Sequence, residues 1–215
     1  MKKIFLFLLP ALLLLTACSE SDNSSTEYDN WKARNEAAFI DTLRMATQTI
    51  AAAKAQWGEN WEQHCDWRTL RSYTLGTGAQ ATWKDSVAVR VIRTGTGSGT
   101  PLYTDTVSVV YVGRLMSTPQ TPSGLLFDHS PHVNSLTSGY RPELASPVRF
   151  AVGNLVEGFS TALQHMHIGD RWRVFMPADM AYGSRSVGKV IPHSMLVFDL
   201  ELRAYWRAGT RPDLP

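Results

Sequence analysis

Cysteine is scarce: Cys18 and Cys65 are the two in a chain of 215 residues. That is too few for a disulfide-dense scaffold, so the fold has to rest on its apolar core. No charge of one sign dominates. The formal net charge is +2, and Lys2 and Lys3 are two of the 21 Lys and Arg, so without them 19 basic residues face 19 acidic ones. No Lys/Arg cluster offers a face for nucleic acid. The apolar run over residues 4–17 is broken by Pro10 and is shorter than the ~20 residues that span a bilayer comfortably. Metal-ligand patterns are thin as well. His165 and His167 are two apart, on different faces of any helix, and His129 and His132 sit in a Ser/Pro loop, whereas a metal site needs three or four convergent ligands. His64 is adjacent to Cys65, a spacing at which side chains rarely face each other, so an inert thiol is expected. No nucleophile elbow surrounds any Ser. GTGSG at residues 95–99 lacks the lysine of a phosphate-binding loop and leads into a strand, not a helix.

What is present begins with the leader. Lys2 and Lys3 before a greasy run give the layout of a secretory signal over residues 1–17. Leu15-Thr16-Ala17-Cys18 resembles the bacterial lipobox, in which the cysteine is acylated and becomes the first residue. Cys18 is then the expected lipidation site and the link to a membrane, because two or three acyl chains, at about 0.8 kcal/mol per buried methylene, hold a protein on a bilayer. The expected location is the bacterial cell envelope, at the outer membrane. Residues 18–30 are polar and acidic and read as a tether.

Residues 28–57 carry a helical stripe: Phe39, Leu43, Ala46, Ile50, Ala53 and Trp57 fall at steps of three and four, and Gly58 supplies a stop. The stripe needs a partner. One reading packs it on its own domain or on residues 61–83; the other makes it a homodimer or client-binding arm. Trp57, Trp61, Trp67 and Trp83 make residues 31–85 a helical, Trp-rich extension, and aromatics serve a domain junction as readily as a peptide groove.

Beyond Ser86 the period changes to two. Val87, Val89 and Val91 alternate with smaller residues; Trp172, Val174 and Met176 share a face. So do Leu196, Phe198, Leu200 and Leu202, opposite Asp199, Glu201 and Arg203, which predicts antiparallel sheet with one wet face. The one helical pattern in this half is short, at Phe159, Leu163 and Met166. The fold class expected over residues 86–207 is α+β: a twisted antiparallel β-sheet wrapped around a short α-helix.

Six segments in series, VVYVGRL, LLFDHS, PVRFAVG, LVEGFSTALQHMHIGDRW, MPADMAYG and VIPHSMLVFDLEL, resemble the FKBP-type peptidyl-prolyl cis-trans isomerases in content and order. The resemblance covers residues 107–205 and implies the same FKBP-like fold. It implies catalysis on X-Pro-containing polypeptides, with no cofactor and no metal, in the folding of exported proteins. A fold-retaining binding module without catalysis is the alternative. Carried over by position, Tyr182, Asp128 and Tyr111 are the catalytic candidates. Phe127, Phe150, Leu155, Val156, Phe159, Ile191 and Phe198 are the substrate-binding candidates. In that scheme Phe127, Phe159 and Phe198 are the apolar floor and walls, Tyr182 hydroxyl and Val156 N–H meet the carbonyls flanking the proline, and Asp128 polarises the site. The chain departs from the family at Phe159, where tryptophan is usual, and at Val148, where an aromatic is common. The loops on both sides of the Phe127-Asp128 pair are also longer than in minimal members, and such loops often carry specificity.

Overall fold

A computed structural model describes residues 26–132 and 142–210. Cys18 and the leader lie outside the described residues, as do residues 133–141 of the loop between Asp128 and Pro147.

The chain enters through a 3-10 turn, Thr26–Tyr28, and the 27-residue helix α1, Trp31–Trp57. Strands β1 (Trp67–Arg71), β2 (Ser86–Arg93), β3 (Thr106–Leu115), β4 (Leu126–His129) and β5 (Val148–Ala151) follow. Helix α2 (Glu157–Leu163) then leads into β6 (Arg171–Met176) and β7 (Leu196–Trp206). The strands make one seven-stranded sheet in the order β1-β2-β6-β7-β3-β4. Along its other edge β3 pairs β5 with its first half, Thr106–Val109, and β4 with its second. All the pairings are antiparallel. The α+β architecture is therefore a twisted antiparallel sheet on a short helix, with α1 added.

The predicted alternation sets the core. Leu196, Leu200 and Leu202 of β7, Val174 and Met176 of β6, and Val87 and Val89 of β2 are fully buried against Ala162, Leu163 and Met166 of the α2 region. Each large apolar side chain so buried contributes about 1.5–3 kcal/mol. Burial outweighs the modest intrinsic stability of a two-turn helix.

The opposite face is less wet than the pattern predicts. Ala46, Ile50 and Ala53 of α1 pack with Cys65, Trp67 and Ala88, and Leu43, Trp61 and Phe175 complete that second cluster. The stripe of α1 is thus satisfied within its own chain, over β1, β2 and β6. Trp57 departs from it, being 43% exposed and stacked on the His64 ring with centroids 3.8 Å apart. Glu201, expected among the solvent-facing charges, is 2% exposed. Its Oε1 accepts from Arg93 at 2.5 Å and pairs with Arg203 at 3.0 Å, which is how a carboxylate survives burial. The glycine-rich loop is structural: Gly95 N–H donates to the buried Asp170 carboxylate at 2.7 Å and Gly97 N–H to the Ile168 carbonyl at 3.1 Å. No helix among the described residues is long and apolar enough to cross a membrane.

Candidate functional site

At the end of α2 where the chain arrives from β5, a hollow of about 250 Å³ opens between the helix and the sheet. Tyr111 (β3), Asp128 (β4), Phe150 (β5), Phe159 (α2) and Phe198 (β7) line it, with Asn154, Leu155, Val156 and Tyr182 from loops. Its base is a set of rings at right angles. Phe159 and Phe198 meet edge-to-face with centroids 5.0 Å apart, and Tyr111 meets Phe159 in the same way at 6.0 Å. Such arrangements set the positive edge of one ring on the negative face of the next. All three residues are nearly buried, so the floor is apolar and fixed.

The titratable groups, Tyr111, Asp128 and Tyr182, stand together. Tyr111 hydroxyl donates to Asp128 Oδ2 at 2.8 Å, and His129 N–H donates to Asp128 Oδ1 at 2.9 Å. Tyr111 is itself pinned by its backbone, donating to Ser130 Oγ at 3.0 Å and accepting from Ser130 N–H at 2.9 Å. Burial, the hydrogen bond to Asp128 and that carboxylate's charge all push the Tyr111 phenol well above its ordinary pKa. Burial first, then the charge of Asp128, raises the Tyr182 phenol too. Both are neutral donors at any physiological pH. Tyr111 has spent its proton on Asp128; the Tyr182 hydroxyl has no partner among the described residues.

Tyr182 is placed by a tight turn. Ala181 and Gly183 N–H groups both donate to the Ala178 carbonyl, at 2.9 and 2.8 Å, and Gly183 has φ +60°, a conformation glycine adopts without a Cβ penalty. The Val156 carbonyl accepts from Phe159 and Ser160 N–H at 3.0 Å each. Val156 N–H has no partner among the described residues.

Two residues expected at the site stand outside the lining. Phe127 precedes Asp128 at an irregularity of the β3–β4 ladder, which pairs Gly113 with Asp128 and Arg114 with Leu126 and skips Phe127. Asp128 turns to Tyr111, while Phe127 packs edge-to-face on Phe198 at 5.5 Å and lines a neighbouring surface hollow with Leu125, Leu126, Lys189 and Asp128, which borders both hollows. Gly113 makes that packing fit, because a Cβ there would lie 2.7 Å from both the Phe127 and the Phe198 ring. Ile191 is half-buried against the main core, and its carbonyl accepts from Ser194 Oγ at 2.7 Å. Asn154 lines the hollow and was not expected there; a single polar residue in a short connection has no periodicity to mark it. No group of three or more His, Cys, Asp or Glu converges among the described residues.

Comparison with known proteins places this geometry. Residues 97–203 match the family model of the FKBP-type peptidyl-prolyl cis-trans isomerases. The chain is 37% identical over 121 residues to the outer membrane protein MIP of Legionella longbeachae, a match that takes in 56% of this chain and 44% of that protein. It is 31% identical over 113 residues to the FK506-binding protein 2 of Yarrowia lipolytica, covering 51% of this chain and 67% of that one. Among solved structures, FkpA from Escherichia coli superposes with a TM-score of 0.46 at 24% identity, over 84% of this chain and 70% of that chain. The chain belongs to the FKBP-type peptidyl-prolyl cis-trans isomerases. It spans less than half the length of the MIP protein, and α1, β1 and β2 lie outside the family segment.

Proposed function

We propose that the chain isomerises X-Pro peptide bonds in exported polypeptides, with the proline ring seated in the hollow on Phe159 and Phe198. Rotation about an amide faces a barrier of about 18–20 kcal/mol. X-Pro bonds are those whose cis and trans forms lie close in energy, and they interconvert slowly enough to delay folding. In the twisted state the nitrogen loses conjugation and the carbonyl loses polarity. A dry apolar cavity suits that state better than water does, and preferential binding of the twist is itself catalysis. No nucleophile has to be consumed. The observation that carries the reading is the Tyr182 hydroxyl, without a hydrogen-bond partner among the described residues, beside a ring-lined hollow. That hydroxyl donates to one carbonyl flanking the proline and Val156 N–H to the other. Asp128, held by Tyr111, sets the field that the rotating carbonyl meets.

Further parts of the reading rest on sequence and kinship. Residues 1–17 act as a lipoprotein signal and Cys18 as the acylated anchor, and residues 86–207 are the isomerase domain, working at the cell envelope. A relative named as an outer membrane protein supports that location. Cis-trans exchange of a short X-Pro peptide, followed by NMR with and without the protein, tests the activity. Peptide binding without any gain in exchange rate would sink catalysis and leave a binding module.

A further inference from the structure

The start of α1 and the turn before it reach the segment that follows Tyr182 and the connection between β3 and β4. Trp31, buried in the main core, donates its indole N–H to Ser194 Oγ at 2.8 Å, and that hydroxyl donates to the Ile191 carbonyl at 2.7 Å. One turn further, Asn35 is 1% exposed. Its Nδ2 donates to the Trp31 carbonyl at 2.7 Å and its Oδ1 accepts from Met195 N–H at 2.9 Å. In the turn before the helix, Glu27 Oε1 accepts from Thr118 at 2.5 Å and from Thr121 at 2.9 Å, both in the connection between β3 and β4.

The segment so gripped needs holding. Residues 184–189 are exposed, with few buried contacts of their own, the condition for easy local opening. His193 has φ +62°, a left-handed conformation that persists in a non-glycine residue where its surroundings impose it. Its N–H donates to the Gly183 carbonyl at 2.7 Å, closing the segment at its foot beside Tyr182. Ser194 and Met195, the next two residues, are the ones that Trp31 and Asn35 hold.

We propose that the first two turns of α1 brace the site, with Trp31 and Asn35 as positioning residues that hold segment 183–195 and so aim Tyr182 at the bound X-Pro unit. This rests on the isomerase reading above. The braces come from outside residues 97–203 that match the family, so the N-terminal extension contributes to the working site and is more than a tether.

The test uses the full chain carrying Asn35→Ala or Trp31→Phe, which keeps a ring and loses the indole N–H. Ile50→Ala, further along α1 over the second cluster, is the control. Amide hydrogen exchange across residues 183–195 is expected to rise about five-fold in both brace variants, and kcat for X-Pro exchange to fall by a similar factor. Ile50→Ala is expected to lower Tm at least as much and to change neither. Unaltered protection of the segment in the brace variants, or an equal loss of kcat in Ile50→Ala, would overturn the proposal. If the unsubstituted chain gives no catalysed exchange, the isomerase reading fails, and segment protection still decides for or against the brace.

Discussion

Replacing Tyr182 by Phe isolates one group. The ring keeps its place in the lining, and the hydroxyl that is removed has no partner among the described residues, so the fold loses no hydrogen bond. Tm is expected to move by no more than about 2 °C. The reaction is different. If the hydroxyl donates to a substrate carbonyl, its loss removes a neutral hydrogen bond worth about 0.5–1.5 kcal/mol, which lowers kcat/KM about two- to twelve-fold. Tyr111→Phe is the informative contrast. It removes the hydrogen bond that Asp128 Oδ2 accepts at 2.8 Å and leaves the carboxylate of an exposed residue to water, a cost of about 0.5–1.5 kcal/mol to stability. NMR exchange on an X-Pro peptide and thermal melts of both variants, under identical conditions, give the two readouts. An unchanged rate in Tyr182→Phe, or a fall in Tm matching that of Tyr111→Phe, would refute the assignment of Tyr182 to the substrate.

The buried phenols also set a pH dependence. The folded chain holds the Tyr111 and Tyr182 protons above the ordinary tyrosine pKa, so above pH ~10 the unfolded chain releases protons the native one keeps. That stabilisation is complete below pH ~10 and is lost as pH rises towards the folded values. Urea melts between pH 9 and 11 should show the loss, with a shallower slope in Tyr111→Phe; parallel slopes would contradict it. Gly113→Ala should cost about 1–3 kcal/mol by forcing the Phe127 and Phe198 rings from a Cβ, seen as a lower melting temperature, whereas an unchanged one would mean that β3 can yield. Phe159→Ala should cost about 3–5 kcal/mol and abolish measurable peptide binding even where calorimetry shows the protein folded.

The sheet and its short helix were legible because their signals are local. Alternation along β7 and β6, and the four-then-three step from Phe159 to Met166, are one-dimensional patterns that burial enforces directly. Most of the hollow's lining was legible through the order of the motifs, since Tyr111, Asp128 and Tyr182 sit inside segments with few alternatives. What escaped depends on contacts far apart in sequence. Glu201 reads as a wet charge on an alternating strand, and only Arg93, 108 positions away, with Arg203 beside it, makes its burial tolerable. The face of α1 could be drawn, but not the surface beneath it, because Trp67, Ala88 and Phe175 meet only once the sheet is assembled. Phe127 illustrates a subtler limit. A motif places two neighbours at a site, yet the break in the β3–β4 register at Phe127 sets which of them reaches the lining, and no local pattern marks that break.

The site divides into a floor set on the sheet and helix and a rim set on connections. β3 is bonded along both edges, to β7 on one side and to β4 and β5 on the other, so Tyr111 and its partner Asp128 have little freedom. Phe198 lies on β7, between β6 and β3, and is equally fixed. Tyr182, by contrast, projects from a turn, and Asn154, Leu155 and Val156 lie in or beside a connection of a few residues. A catalyst that favours a twisted bond needs both kinds of part. The rigid apolar floor must not relax around the planar ground state, or differential binding is lost, while the donors on the rim must be held where the flanking carbonyls lie in the twisted state. Substitutions in the floor therefore act first on stability and those in the rim first on rate.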